Sequence, residues 1–382
     1  IIMKKHKICI IGGGLSGLMS ALIINDPEID IDLIGNYKKL NTRDLRATAI
    51  SESNYIFLKQ NISKLDKTIF SPVKKINLFY EKDKKINNFL NFDEGKNLMF
   101  LFENNELKSH LLSLIKKIKL KIIKNEVEKI NISNNEVAFK KGNNRKKNYD
   151  LIILCLGSNS KLYSKVVDNR EITKNYNEYS ITGSVSHRLK NLSSRQYFLN
   201  EGPLAILPFK KNLFSFVWSI DSKYYDINNK NILILLKRRL RKILNTTKLK
   251  FNKINSYPLK LSIKKNYYKN NTLILGDGLH TVHPIAGQGF NLILRDIKVL
   301  HDLIKFNLSL GLTLKDSSIL KEFSDNRKPE NIFLGLGIDL TRKFFKKNKY
   351  FDPIKGIILD NFNNNQILKK FSKVVSNKGL SF

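Results

Sequence analysis

The chain has 382 residues, 42% apolar and 26% charged, an ordinary globular composition that excludes wholesale disorder. Its 68 Lys and Arg exceed its 33 Asp and Glu, giving a net charge of +35. Its two cysteines, Cys9 and Cys155, exclude a disulfide framework and a cysteine-based zinc module, and their apolar surroundings suit a reducing compartment.

A chain this long suits two or three domains and a core that needs no staples. The basic residues are dispersed, with no tail and no nucleic-acid-binding motif, so nucleic acid is not expected as a partner. An anionic membrane surface is the better match for the charge. No apolar run reaches the roughly 18 residues of a membrane span. The apolar run Ile8 to Ile11 is too short for a signal-peptide core. The expected location is cytoplasmic.

Residues 7–11 predict a short buried strand and 18–23 a helix. Between them Gly12, Gly14 and Gly17 form G-x-G-x-x-G. The first glycine permits a tight turn, the second lets a pyrophosphate approach the backbone, and the third lets helix pack on strand. A second strand is predicted over 29–34. An acid for the adenosine ribose should follow it; Gly35-Asn36 stands there instead, so Asn36 is the candidate ribose partner, without charge assistance.

Further along, Leu204, Ile206, Phe214, Phe216 and Trp218 alternate as in strands. They line an apolar pocket or form sheet core; the alternation alone serves both. Residues 231–244, with Lys237, Arg238, Arg239, Arg241 and Lys242, predict a basic amphipathic helix. Residues 272–275 predict a strand, followed by Gly276-Asp277-Gly278, a loop held by Pro284, and a helix from near Gln288 through Leu300. Such an arrangement holds a polar ligand chain at Asp277 and aims helix N–H groups at an electron-rich ring. His280 and His283 are three apart, but no carboxylate or thiolate in the segment completes a metal site, and no metal is assigned. Past 310 the chain reads as mostly helical. Ile367, Leu368, Phe371, Val374 and Val375 share one face, which packs on the core or lies at a membrane interface.

Gly276-Asp277 with the run from His283 through Asn291 closely resembles the second FAD fingerprint of single-component aromatic flavoprotein hydroxylases. The His-Pro-Ile-Ala-Gly-Gln-Gly-Phe-Asn string and the Arg295-Asp296 pair resemble the ubiquinone-biosynthesis branch in particular. Asp44-Leu45-Arg46, Glu103-Asn104, the Gly202 to Pro208 segment and Val217-Trp218-Ser219 are similar to family segments in the same order, so the likeness covers nearly the whole chain.

The resemblance implies an α/β fold: a Rossmann-like FAD-binding domain (1–75, 99–160 and 269–310) interleaved with a mixed-sheet substrate domain (76–98 and 161–268), then a C-terminal helical region (311–382). It implies an FAD-dependent monooxygenase in which a flavin hydroperoxide hydroxylates the ring of a polyprenylated ubiquinone precursor with O2. A hydroxylase of a small soluble aromatic and a non-catalytic flavoprotein scaffold in a membrane-associated quinone-biosynthesis complex are the alternatives. No protein side chain need act as a catalytic group. Implied cofactor residues are Gly12, Gly14, Gly17, Asn36, Arg46, Gly157, Gly276, Asp277, Pro284, Gly287, Gln288, Gly289 and Asn291. The loop carrying Pro284, Gly287, Gln288 and Gly289 would face the flavin. Implied substrate residues are Leu204, Ile206, Phe216 and Trp218. The family's Asp-Gly motif aligns with Leu156-Gly157, so a leucine replaces the acid at the approach of reduced nicotinamide. Electrons are therefore expected from a protein carrier more readily than from NADPH or NADH. A polyprenyl substrate places the protein peripheral to the inner membrane, on anionic lipid or in a quinone-biosynthesis complex.

Overall fold

Consecutive apolar side chains in His6–Ile11 and Leu151–Leu154 suit strands covered on both faces. In the computed structural model, which describes residues 5–35, 46–93, 95–141, 146–158, 160–166, 170–225 and 231–346, these two strands lie side by side at the centre of a six-stranded sheet. Its order is Tyr268–Lys269, Thr272–Ile274, Leu151–Leu154, His6–Ile11, Ile29–Ile34, Lys121–Ile123. All its pairings are parallel except that of Tyr268–Lys269 with Thr272–Ile274. Leu18 and Met19 from helix Leu15–Ile23, Leu111 and Ile115 from Asn104–Lys117, and Leu294 and Ile297 from Gln288–Ser309 close over it in one core. Parallel register brings the strand ends at Ile11, Leu154 and Ile274 to one edge. In an open α/β sheet that edge is where ligands bind, and here it carries Gly12, Gly157 and Gly276.

A second, mixed sheet has eight strands, ordered His280–Thr281, Lys250–Lys264, Glu171–Ser186, Leu213–Asp221, Gly202–Lys210, Ser194–Leu199, Lys75–Lys82, Lys85–Asp93. Helix Asn231–Leu244, predicted from its 3.6-residue pattern, packs Leu236, Leu240 and Leu244 onto one face. The other face reaches Ala47, Ala49 and Leu101 through Leu207, Phe209 and Leu213. The chain thus crosses between the sheets several times, as interleaving requires. One strand falls across the expected division: His280–Thr281, within 269–310, pairs with Lys250–Lys264 of the second sheet.

Helix Ser318–Phe345 touches both layers. Arg327 donates to Asp296 on the first side, while Phe345 stacks on Phe198 of the second sheet with centroids 3.5 Å apart. No helix among the described residues is long and apolar enough to cross a membrane. Asn36, Asp44-Leu45 and the helix expected at 367–375 lie outside the described residues.

Candidate FAD site and substrate face

The three glycines of the first turn differ in what demands them. A Cβ on Gly12 would lie 2.1 Å from the Cys155 carbonyl oxygen, and one on Gly17 would lie 2.2 Å from the Gly12 carbonyl oxygen. Packing alone requires both. A Cβ on Gly14 would meet nothing within 4 Å. The protein leaves that approach clear without needing to, as a backbone cradle for a ligand would. Helix Leu15–Ile23 begins beside it with no side-chain cap and no acid in its first turn, so its first N–H groups remain available to an anion.

The second fingerprint reaches the same place. A Cβ on Gly276 would come within 3.0 Å of Ser16 Oγ, so segments about 260 residues apart are in van der Waals contact. Asp277 is open to solvent, yet burial of its surroundings pushes its carboxyl upward. Its carboxylate has no ion pair or hydrogen bond among the described residues. A residue that sequence inspection misses helps to place it. Tyr163 donates to the Leu156 carbonyl, and its ring stands where a Cβ on Gly278 would come within 2.1 Å. The glycine after Asp277 was the available signal, although its partner is not local.

Pro284 leads into the turn Ile285–Gly287, and Gly287 takes a left-handed φ of 64° before helix Gln288–Ser309. That helix also lacks a side-chain cap and a first-turn acid. Pro284, Gly287, Gln288 and Gly289 are all half-buried, and Gly157 is exposed. Arg46 is half-buried, with its guanidinium 5.5 Å above the Tyr257 ring and Nη1 donating to the hydroxyl at 3.4 Å.

Asn291 departs from the expected role. Its Oδ1 accepts from Ser51 N–H and Asn54 Nδ2, each at 2.8 Å, and its Nδ2 donates to the Gly287 and Ala49 carbonyls. The side chain clasps protein to protein. The expected substrate wall also changes. Leu204, Ile206, Phe216 and Trp218 are fully buried with Leu236 and Leu240 under helix Asn231–Leu244. They are sheet core on the face turned away from the glycine loop.

Cross-strand register identifies the opposite face. Ser180 pairs with Ser219, Thr182 with Val217, Ser184 with Ser215, and Val217 with Ala205. Ser215 Oγ accepts from Ala47 N–H at 3.4 Å, so this face turns toward the strand that meets Gly287. Thr182 Oγ1 is buried with no hydrogen-bond partner among the described residues.

Residues 154–329 match a family model described as an FAD binding domain. The mitochondrial ubiquinone biosynthesis monooxygenase COQ6 of Dictyostelium discoideum is 25% identical, over 91% of this chain and 86% of its own length. The 3-demethoxyubiquinol 3-hydroxylase of Escherichia coli K12 is 30% identical over 41% of this chain and 40% of its own. Two solved structures share the fold at 14% identity and a TM-score of 0.76: Klebsiella pneumoniae HpxO with FAD and uric acid, covering 98% of this chain and 97% of HpxO, and p-nitrophenol 4-monooxygenase PnpA of Pseudomonas putida DLL-E4, covering 98% of each. With the open cradle at Gly14 and an Asp277 carboxylate that has no hydrogen-bond partner among the described residues, these findings define an FAD-dependent monooxygenase, an oxidoreductase using O2. Within that class the chain is similar to the hydroxylases and monooxygenases named for ubiquinone biosynthesis.

The donor set fits FAD: uncapped helix N-termini for phosphates and ring, and an acid for a hydroxylated chain. Bound there, FAD supplies the oxygen chemistry, and the protein's part is to bind, orient and exclude water.

Proposed function

We propose that the chain hydroxylates the aromatic ring of a polyprenylated ubiquinone precursor. The observation that carries this is the likeness to a protein named ubiquinone biosynthesis monooxygenase along 91% of the chain. The cradle of Gly12, Gly14 and Gly17 takes the pyrophosphate, Asp277 the ribityl chain, and Arg46 and Gly157 flank the flavin. The substrate ring lies between the 284–289 loop and the face of Ser180, Thr182, Val217 and Ala205. The Thr182 hydroxyl is suited to a ring oxygen.

Incubating the holoenzyme and a reductant with 18O2 and either a prenylated phenol or a small soluble phenol tests this. Label should enter the prenylated ring with a KM at least about tenfold lower, since each buried CH2 contributes roughly 0.8 kcal/mol. Faster turnover of the soluble phenol would favour a soluble-substrate hydroxylase instead.

Such a substrate sits in a bilayer, and helix Asn231–Leu244 offers a surface to meet it. Leu233 and Ile234 are 37% and 62% exposed, beside the exposed cations Lys237, Arg238, Arg241 and Lys242. Flotation with anionic liposomes should recover the protein at low salt and lose most of it above about 0.5 M salt, where screening shortens to a few ångströms. Equal flotation with neutral vesicles would count against electrostatic docking.

Leu156 bears on the reductant. Its side chain is half-buried and packs on the core, so it offers no acceptor at the nicotinamide approach. Anaerobic stopped-flow should show slow bleaching by NADPH alone and faster bleaching with an acidic carrier protein, whose docking the +35 charge favours. Rapid bleaching by NADPH alone would rule out the carrier requirement.

A further inference from the structure

Two buried side-chain chains run from one helix to the two histidines that precede the glycine loop. In the first, Arg327 Nε donates to Asp296 Oδ1 at 2.7 Å, and Asp296 Oδ2 lies 2.6 Å from His280 Nε2. About four turns further along helix Ser318–Phe345, Arg342 donates from Nε and Nη2 to Glu178 Oε1 at 3.0 and 2.5 Å. Glu178 Oε2 lies 2.9 Å from His283 Nε2. His283 Nδ1 accepts from Ile285 N–H at 3.3 Å, so its proton sits on Nε2 and is donated to Glu178. Ile285 opens the turn that ends at Gly287.

The charges around His283 are settled. Burial pushes His283 down, toward its neutral form. Burial alone would raise the Glu178 carboxyl, but hydrogen bonds from His283 and Arg342 outweigh it and hold it at about 2. Arg342 also lies 4.5 Å from the Tyr176 ring centroid, and Asp339 is taken by Lys174 at 2.7 Å. Lys346 stands 3.8 Å from Glu178 and 2.9 Å from Asp221.

Buried ion pairs of this kind are poor stabilisers compared with apolar groups of the same volume. Their attested benefit is fixed geometry, and the geometry fixed here is the backbone entering the glycine loop. We propose that His283 is a positioning residue for the cofactor: the Arg342–Glu178–His283 chain, paralleled by Arg327–Asp296–His280, sets the 284–289 turn against the flavin from helix Ser318–Phe345. This rests on the flavin placement proposed above.

The test compares hydrogen–deuterium exchange and FAD affinity in the full-length wild type, Arg342→Met, His283→Leu and His283→Gln. Glutamine can both accept from Ile285 and donate to Glu178, so it serves as the conservative rescue. In Arg342→Met and His283→Leu, exchange over 284–291 and the Kd for FAD should each rise about tenfold, while exchange over 6–11 stays unchanged. His283→Gln should return both values to near wild type. If Arg342→Met does not fold, Arg342→Lys, which keeps the charge but loses the forked contact, carries the same comparison. Wild-type exchange over 284–291, or a rise of equal size over 6–11, would overturn the positioning role. Selective loosening of 284–291 with unchanged FAD affinity and flavin spectrum would overturn the role toward the cofactor, and would show that the flavin placement has failed rather than the coupling.

Discussion

Gly14→Val should purify as a folded chain without its yellow flavin band. Gly14 has an extended backbone, with φ −85° and ψ 177°, which valine adopts readily. A Cβ there meets no protein atom within 4 Å, so the fold should lose no more than about 1 kcal/mol. The added methyls would instead fill the approach of a pyrophosphate to the helix N-terminus. FAD affinity should fall at least about a hundredfold, roughly 2.7 kcal/mol. Gly12→Ala makes the informative contrast. Its Cβ would lie 2.1 Å from the Cys155 carbonyl oxygen at a φ of 147°, so it should lose flavin by losing the fold. Asp277→Ala should fold normally and bind FAD about tenfold more weakly, the size of one charge-assisted hydrogen bond. Flavin absorbance per mole of protein, read beside a thermal melt, separates the three outcomes. Folded Gly14→Val and Asp277→Ala proteins that both keep full flavin would refute the cofactor site.

Local features were the legible ones. The strand at His6–Ile11, its three glycines and helix Asn231–Leu244 follow from residue type and period over a few turns. Orientation did not follow. Alternation in Leu204, Ile206, Phe216 and Trp218 establishes that these side chains share a face, and it is silent on which face meets the cofactor. The face turned to the loop mixes Ser180, Thr182, Ser215 and Ser219 with Ala205, Val217 and Leu207, so its residue types alone do not set it apart as a ligand face. The histidines show a second limit. The spacing of His280 and His283 led to no role for either ring, and each is taken by a different carboxylate, Asp296 or Glu178. Glu178 lies 105 residues from His283, and no local pattern encodes that pairing. Asn291 is a similar case: its place in the fingerprint suggested a cofactor contact, and its side chain is spent on Ser51, Asn54, Ala49 and Gly287.

Trp218→Ala should destabilise the protein by about 3–5 kcal/mol and leave the substrate KM nearly unchanged. The indole is fully buried, packs with Leu236 and Leu240, and donates from Nε1 to the Gly202 carbonyl at 3.1 Å. Truncation opens a cavity on the helix side of the sheet and strands that carbonyl, and both effects fall on folding. Thr182→Val makes the opposite test on the opposite face. It removes a buried hydroxyl that has no hydrogen-bond partner among the described residues, so stability should hold or rise slightly. If the hydroxyl meets a ring oxygen of the substrate, kcat/KM should fall about tenfold for want of that one hydrogen bond. Chemical melts and steady-state kinetics on the two variants read both faces of one sheet. A Trp218→Ala protein that melts like the wild type but binds substrate tenfold more weakly would return the pocket to the helix-covered face and remove Thr182 from the site.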